Sequence, residues 1–340
     1  MQRDSGNKQI SNNKMNFGVI LPHTKLYGGV KRFLELGNAL IDLHQNFTVY
    51  TPEGKAPDWF QFNGATKSFA FLKEDSIDVL FTTEAPFIDV LCSANARHKV
   101  CYHVRITENM RPFLKQGVEI FACSTNIYLH DRKKYGNDDF KAFGGVDIAK
   151  YKPKSDYHVV DRPFCVMAYG RLVEHVKGTK YVVKACEQLY KQGYNIRLLL
   201  FDTAVNEKAR QLNAGFTCAV PFDFVLDHPF KRNSELFNRA DLFVAAERHA
   251  GWSNTVCEAM ACALPVIATK AGTKDMLIDE ETGLLTHRFT FLIRRKIKRM
   301  IEDEALRQRL GANACRQVQQ FDWHKVARRI LAHFSETTDV

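Results

Sequence analysis

Arg171 and Lys177 are the first two residues whose types and spacing suggest chemistry. Arg171 follows the apolar run Phe164–Ala168, and Lys177 directly precedes a helical pattern that begins at Thr179. That arrangement puts two cations at the carboxyl edge of a sheet, where a diphosphate could be held. Arginine can grip two phosphate oxygens at once, whereas lysine acts as a point charge. The competing reading is an exposed surface pair with no ligand.

The densest run of candidate site residues lies between Ala246 and Ala261 and includes Ala250, Trp252, Ser253, Asn254, Thr255 and Glu258. Ser253 or Asn254 is a natural N-cap for a helix reaching about Ala263, stopped by Leu264-Pro265. The loop ahead of that helix would aim free N–H groups at a ligand. Glu258 falls among Val256, Ala259 and Met260, and a carboxylate in such an apolar helix needs a partner. A ribose diol would supply one, and so would a structural arginine. Near the start of the chain, Tyr27-Gly28-Gly29-Val30 ends a loop and opens a helix. Gly28 and Gly29 let backbone N–H groups approach an anion at a helix N-terminus, or they make a tight turn and nothing more. Gly37 is too remote to complete G-x-G-x-x-G, so no nicotinamide dinucleotide is implied.

Rigid elements must hold these residues, and the sequence supplies them in alternation. Asn16–Leu21, Phe47–Tyr50, Ile77–Thr82, Val100–Ile106 and Glu119–Ser124 are short runs rich in β-branched or aromatic residues. Between the first two, Val30, Phe33, Leu34 and Ala39-Leu40-Ile41 follow a helical period. The second half repeats the grammar with strands at Phe164–Ala168, Ile196–Phe201, Leu242–Ala245 and Pro265–Thr269. A helix over Thr179–Gln192 is stopped by Gly193. Strand alternating with helix predicts a parallel sheet covered on both faces, here twice. The expected architecture is therefore α/β, with two doubly wound Rossmann-like domains and a ligand at the carboxyl ends of the strands. The expected boundaries are a disordered tail over 1–14, a first domain over 15–150 and a linker over 151–163. A second domain over 164–320 and a closing helix over 321–340, capped by Asp322, complete the chain.

The totals limit the partners. With 340 residues, the chain has room for two ordinary domains. No apolar run reaches the ~18 residues of a membrane span, and the polar first residues do not read as a secretory signal. Nine cysteines, an odd number without a C-x-x-C pair, suit a reducing compartment better than disulfides or a zinc site. The expected location is the cytoplasm. A formal net charge of +10 calls for a polyanionic partner, which could be nucleic acid, an anionic membrane or a phosphorylated small molecule.

Several ordered motifs resemble glycosyltransferase family 4 and its GT-B relatives. Glu258-Ala-Met-Ala-Cys-Ala-Leu-Pro-Val-Ile-Ala-Thr269 is similar to the family's "EAMACGLPVIAT", the end of its Glu-x7-Glu motif. Gly145-Val146-Asp147, Gly170-Arg171-Leu172 with Lys177-Gly178, Ala240-Asp241-Leu242-Phe243-Val244 and Thr282-Gly283-Leu284-Leu285 match further family elements in order. Phe321-Asp322-Trp323 resembles the opening of the family's crossover helix, which returns to the first domain. The resemblance runs from Met15 onward and is densest in the second half.

It implies a metal-independent, retaining glycosyltransferase with no cofactor, moving a sugar from a nucleotide-sugar donor to a glycan or lipid-linked acceptor. Arg171 and Lys177 would bind the donor diphosphate and neutralise the departing nucleotide. Glu258 would hold the ribose, and Gly28 and Gly29 would face the diphosphate. His103, at a strand end, would line the sugar and acceptor site, although a histidine there also has a structural reading. The family's first motif glutamate should fall at position 250, where this chain has Ala250. A missing acceptor at that point predicts a preference for deoxy-sugar donors, unless Glu247 fills the gap. Three alternatives stand beside this reading. One is a GT-B protein that binds nucleotide with weakened catalysis. Another is a nucleic-acid-binding protein using Arg294-Arg295-Lys296 with Lys298-Arg299, a run that also reads as a solvated helix face. The third feature, compatible with a lipid-linked acceptor, is peripheral docking on the inner face of an anionic membrane through Lys25, Lys31 and Arg32.

Overall fold

The strands that end at the candidate residues belong to two parallel sheets. In the first are β1 (Asn16–Ile20), β2 (Asn46–Thr51), β3 (Ala65–Ser68), β4 (Ile77–Thr82), β5 (Ala96–His103), β6 (Glu119–Ala122) and β7 (Phe140–Lys141). Their order is β3-β2-β1-β4-β5-β6-β7. The second contains β8 (Phe164–Tyr169), β9 (Ile196–Asp202), β10 (Phe222–Leu226), β11 (Leu242–Ala245), β12 (Val266–Ala268) and β13 (Leu284–Leu285), ordered β10-β9-β8-β11-β12-β13. This computed structural model describes residues 14–153, 162–204 and 206–336. The expected tail over 1–14, all but its last residue, and most of the expected linker lie outside the described residues.

Both sheets are doubly wound, so each reverses its winding once, between β1 and β4 and between β8 and β11. A crevice opens at such a switch point, beyond the carboxyl ends of the strands. The loop after β1 leads to Gly28, and the loop after β4 carries Thr83 and Glu84. The loop after β8 carries Arg171 and Lys177, and the one after β11 carries residues 246–253. The candidate residues thus issue from the switch points of two sheets. That is a consequence of strand order, not of sequence proximity.

The first helix, Gly28–Asp42, forms because Val30, Phe33, Leu34, Leu36, Ala39 and Leu40 make one buried stripe. Aromatic rings fill the space beneath it. Phe33 meets Tyr102 edge-on at 5.6 Å, and Phe81 lies 5.9 Å from Phe33. The last described helix, Trp323–Glu336, packs on the first helix, and its Phe334 lies 6.3 Å from Phe17 of β1. Trp323 donates Nε1–H to Glu35 Oε2 at 2.8 Å, so a residue of the closing helix is bonded to one in the first. Where the chain returns, Val146 N donates to Phe321 O at 2.9 Å and Trp323 N to Val146 O at 3.3 Å.

Gly178 holds the β8 loop against the β11 loop. Its φ is +74°, and a Cβ there would stand 2.1 Å from the Ala246 carbonyl oxygen. Gly178→Ala is expected to lose about 1–3 kcal/mol of stability from backbone strain alone, read from the urea midpoint of the full chain.

Two groups of surface residues take places other than a basic docking face. Of the three basic residues expected to meet a membrane, Lys31 and Arg32 are buried, at 6% and 5% exposed, while Lys25 is exposed. Helix Thr290–Glu302 buries Ile293, Ile297 and Met300 and turns its basic run outward, where Arg299 pairs with Glu280 at 2.6 Å. Among the described residues, no helix is long and apolar enough to cross a membrane.

Candidate active site

A cavity of about 680 Å³ lies between the two sheets' carboxyl edges. Gly28, Gly29, Arg171, Lys177, Ala250, Trp252, Ser253, Asn254, Thr255 and Glu258 all line it. The two halves approach closely around it. A Cβ at Gly28 would sit 3.4 Å from Asn254 Nδ2, and one at Gly251 would be 2.0 Å from the Val104 carbonyl oxygen.

Two long helices whose first residues line this cavity, Gly28–Asp42 and Asn254–Ala261, have no side-chain cap, and a third uncapped helix, Thr179–Lys191, begins two residues after Lys177. Away from it, helices starting at residues 125, 207 and 304 are capped by Ser124, Asn206 and Asp303, while the helix Thr290–Glu302 is uncapped. An uncapped first turn leaves N–H donors unsatisfied and the positive end of the helix dipole unopposed. Ser253 stands at the cap position of the helix Asn254–Ala261, yet its Oγ is buried without a partner. The cavity is therefore an anion-favouring place built from backbone, before any side chain is counted.

The two cations are held in place by carboxylates. Arg171 Nε donates to Asp202 Oδ1 at 3.1 Å, Nη1 to Glu174 Oε1 at 3.2 Å and Nη2 to the Thr203 carbonyl at 3.3 Å. Lys177 Nζ donates to Glu247 Oε1 at 2.6 Å. Both cations lie against one ring, with Arg171 Cζ 5.1 Å and Lys177 Nζ 5.5 Å from the Tyr169 centroid. Glu247 is buried, and its second oxygen, Oε2, has no hydrogen-bond partner. Ala250 turns its methyl towards Gly272, whose φ of +68° admits glycine most readily.

Glu258 has the partner its burial demands, and that partner comes from the other half. Lys31 Nζ lies 2.8 Å from Glu258 Oε1 and 2.9 Å from Glu35 Oε2. Burial opposes the charge on Lys31, but the two carboxylates outweigh it and raise the ammonium pKa. Burial raises the Glu35 pKa against the pull of Lys31. Nearby, burial and then the neighbouring Lys31 charge bring Lys150 down to about 8.

His103 does not line the cavity. It is wholly buried, with Nδ1 2.6 Å from Asp131 Oδ2 and Nε2 2.6 Å from the Arg105 carbonyl. With both ring nitrogens engaged inside the first half, it has none left for a sugar. The expectation that it faces the ligand is corrected to the structural reading of a histidine at a strand end. Sequence reading also missed the residues that hold the site: Asp202, Glu174, Glu35 and the pairing role of Lys31. Asp202 could have been suspected, since it ends the apolar run Ile196–Phe201. The others pair across the fold and leave no local signal.

Residues 153–317 match the family model described as "Glycosyl transferases group 1". A Staphylococcus aureus capsular polysaccharide biosynthesis glycosyltransferase, CapM, is 27% identical over 188 residues, 53% of this chain and 49% of that protein. The chain thus spans about half the length of this curated relative. Among solved structures, a sucrose-phosphate synthase from Thermosynechococcus elongatus superposes with a TM-score of 0.79 at 17% identity, covering 96% of this chain and 99% of the other. Anabaena HepE in complex with UDP-glucose superposes with a TM-score of 0.77 at 17% identity, covering 95% of this chain and 100% of the other. The fold is GT-B over nearly the whole chain.

Proposed function

We propose, for a chain whose second half belongs to the group 1 glycosyl transferases, that it moves a sugar from a nucleotide-sugar donor to a glycan or lipid-linked acceptor. One observation carries this reading. Two fixed cations, two uncapped helix starts and a buried glutamate converge on one cavity from the switch points of two sheets. Such a cavity suits a diphosphate next to a ribose, which is the chemistry of a nucleotide sugar. The UDP-glucose bound by HepE is consistent with it.

In this reading Arg171 and Lys177 hold the diphosphate and stabilise the negative charge that grows on it as the glycosidic bond breaks. Because they are already fixed by Asp202, Glu174 and Glu247, little reorganisation accompanies the transition state. Glu258 receives the ribose hydroxyls while Lys31 orients it through Oε1. These cations stand where a divalent ion would otherwise be required, so transfer is metal-independent. Retention of anomeric configuration is carried over from the family resemblance.

Glu247 bears on sugar identity. The expected preference for deoxy sugars rested on the missing carboxylate at Ala250. Glu247 reaches the same cavity and offers a buried acceptor, Oε2, with no partner of its own. It favours a fully hydroxylated hexose, because a site with an unpaired acceptor discriminates against a donor lacking the hydroxyl. The test is a thermal-shift and turnover panel of nucleoside diphosphates, their hexoses and matched deoxy-hexoses. A ligand at 100 times its Kd should add about 2.7 kcal/mol of stability. Failure of every nucleotide sugar to bind would sink the proposed function. Equal use of deoxy and hydroxylated donors would sink only the role of Glu247.

A further inference from the structure

Lys31 and Arg32 are adjacent, equally buried and electrostatically unlike. Lys31 is matched by two carboxylates. Arg32, 5% exposed, has no carboxylate within ion-pair distance among the described residues, and its Nη1 is buried without a hydrogen-bond partner. Its Cζ lies 4.9 Å from the face of Tyr102, and the guanidinium also meets the Tyr102 hydroxyl and the buried Cys123 thiol, both uncharged. A ring face attracts a guanidinium but does not neutralise it. Arginine cannot escape by losing its proton, so a buried guanidinium without a counter-charge is strongly disfavoured. The fold keeps it at the cavity wall all the same.

Its position separates it from the donor cations. Arg32 belongs to the first helix and shares its wall with Thr83 and Glu84 after β4 and Val104 and Arg105 after β5. Arg171 and Lys177 stand on the second sheet's side. From this geometry we infer that Arg32 is a second oxyanion subsite, which takes a phosphate or carboxylate carried by the acceptor. This inference rests on reading the cavity as a transfer site. The acceptor presents its anionic group to Arg32, and the guanidinium gains the counter-charge that the protein withholds. A neutral acceptor leaves Arg32 uncompensated and is a poor substrate.

Inorganic phosphate is the probe, titrated calorimetrically into the full chain after the donor site is filled with the nucleoside diphosphate that binds best. The wild type is expected to show a second, saturable phosphate event. Arg32→Met should weaken that event at least about tenfold, as expected for a lost charge-assisted contact. Arg32→Lys should retain it within a few-fold, and nucleoside diphosphate affinity should stay within about threefold in both. The ligand-free Tm of Arg32→Met should equal or exceed that of the wild type, since a purely structural arginine would lower it when removed. Arg32→Gln replaces the methionine variant if the latter does not fold. Unchanged phosphate binding in these neutral variants overturns the inference, as does the absence of a second event in the wild type. A tenfold loss of nucleoside diphosphate affinity also overturns it, by placing Arg32 at the donor. If no nucleoside diphosphate binds the wild type, the transfer reading fails first and the acceptor assignment falls with it. That result differs from a filled donor site with no second event.

Discussion

Lys177→Ala is expected to lower turnover by about 10²–10³-fold, the cost of removing one preorganised electrostatic contact to a developing charge. The same loss is expected for Arg171→Ala. The effect should fall mainly on kcat, because the charge they meet is greatest as the diphosphate departs. Lys177 has a further consequence through Glu247. Without the ammonium 2.6 Å away, both Glu247 oxygens become unpaired and buried beside the donor's phosphates. Lys177→Ala should therefore be worse than Lys177→Arg, which keeps a cation for Glu247. EDTA should leave wild-type rates unchanged. Activity abolished by EDTA and restored by Mg²⁺ or Mn²⁺ would overturn the assignment of the leaving-group charge to these two residues.

Lys31→Met is expected to have the largest effect on stability. It strips one ammonium from two buried carboxylates, Glu35 and Glu258, and breaking such a pair costs about 3–5 kcal/mol. The buried Trp323 contact to Glu35 would feel the change as well. A pH signature accompanies it. Lys150 is held at about 8 in the folded protein, against an ordinary lysine value of 10.5. Between those values the unfolded chain binds more protons, so this group makes stability rise with pH across that window. Lys31 acts in the opposite sense only at higher pH, because its folded pKa lies above its unfolded one. Removing the Lys31 charge lets Lys150 return towards its ordinary value. The rise in stability between about pH 8 and 10.5 should shrink in Lys31→Met. Urea unfolding at pH 7.5 and pH 9.5 measures both effects. Wild-type stability in the variant would show that the pair contributes nothing.

The parts of this architecture that were readable in the sequence are those with a local cause. Leu242–Ala245 and Ile77–Thr82 are strands within the limits that their unbroken apolar runs define. Gly193, with φ +87°, ends a helix because the chain there needs a left-handed residue. Strands with weaker local cause escaped. β3 and β10 are half-exposed strands at sheet edges, without a continuous buried face to mark them. β5 begins at Ala96, earlier than Val100, because Ala96, His98 and Lys99 are paired in the ladder although two of them are polar. At the site, Arg171, Lys177 and Glu258 could be selected by type and spacing. Their partners could not, because nothing local links Lys31 to Glu258 or Lys177 to Glu247. Such pairs exist only once the fold has brought two switch points face to face.

The return of the chain at Val146 also decides how this cavity can open. The chain passes between the halves twice, once after Val146 and once before Trp323, and the two passages lie side by side, joined by backbone hydrogen bonds. A single thread would act as a swivel and let the halves turn freely about the chain direction. Two threads bound together act as the spine of a book. Twist about their own direction is resisted, and the soft motion left is the spreading of one cover from the other. Glu258 and Lys31 lie on opposite covers, as do Gly28 and Asn254. Entry of a donor is thus tied to a single coordinate. One distance between labels on opposite covers would be enough to follow it, for instance between Asp58 and Lys231, exposed residues next to Trp59 and Phe230, whose rings meet at 5.3 Å across the halves.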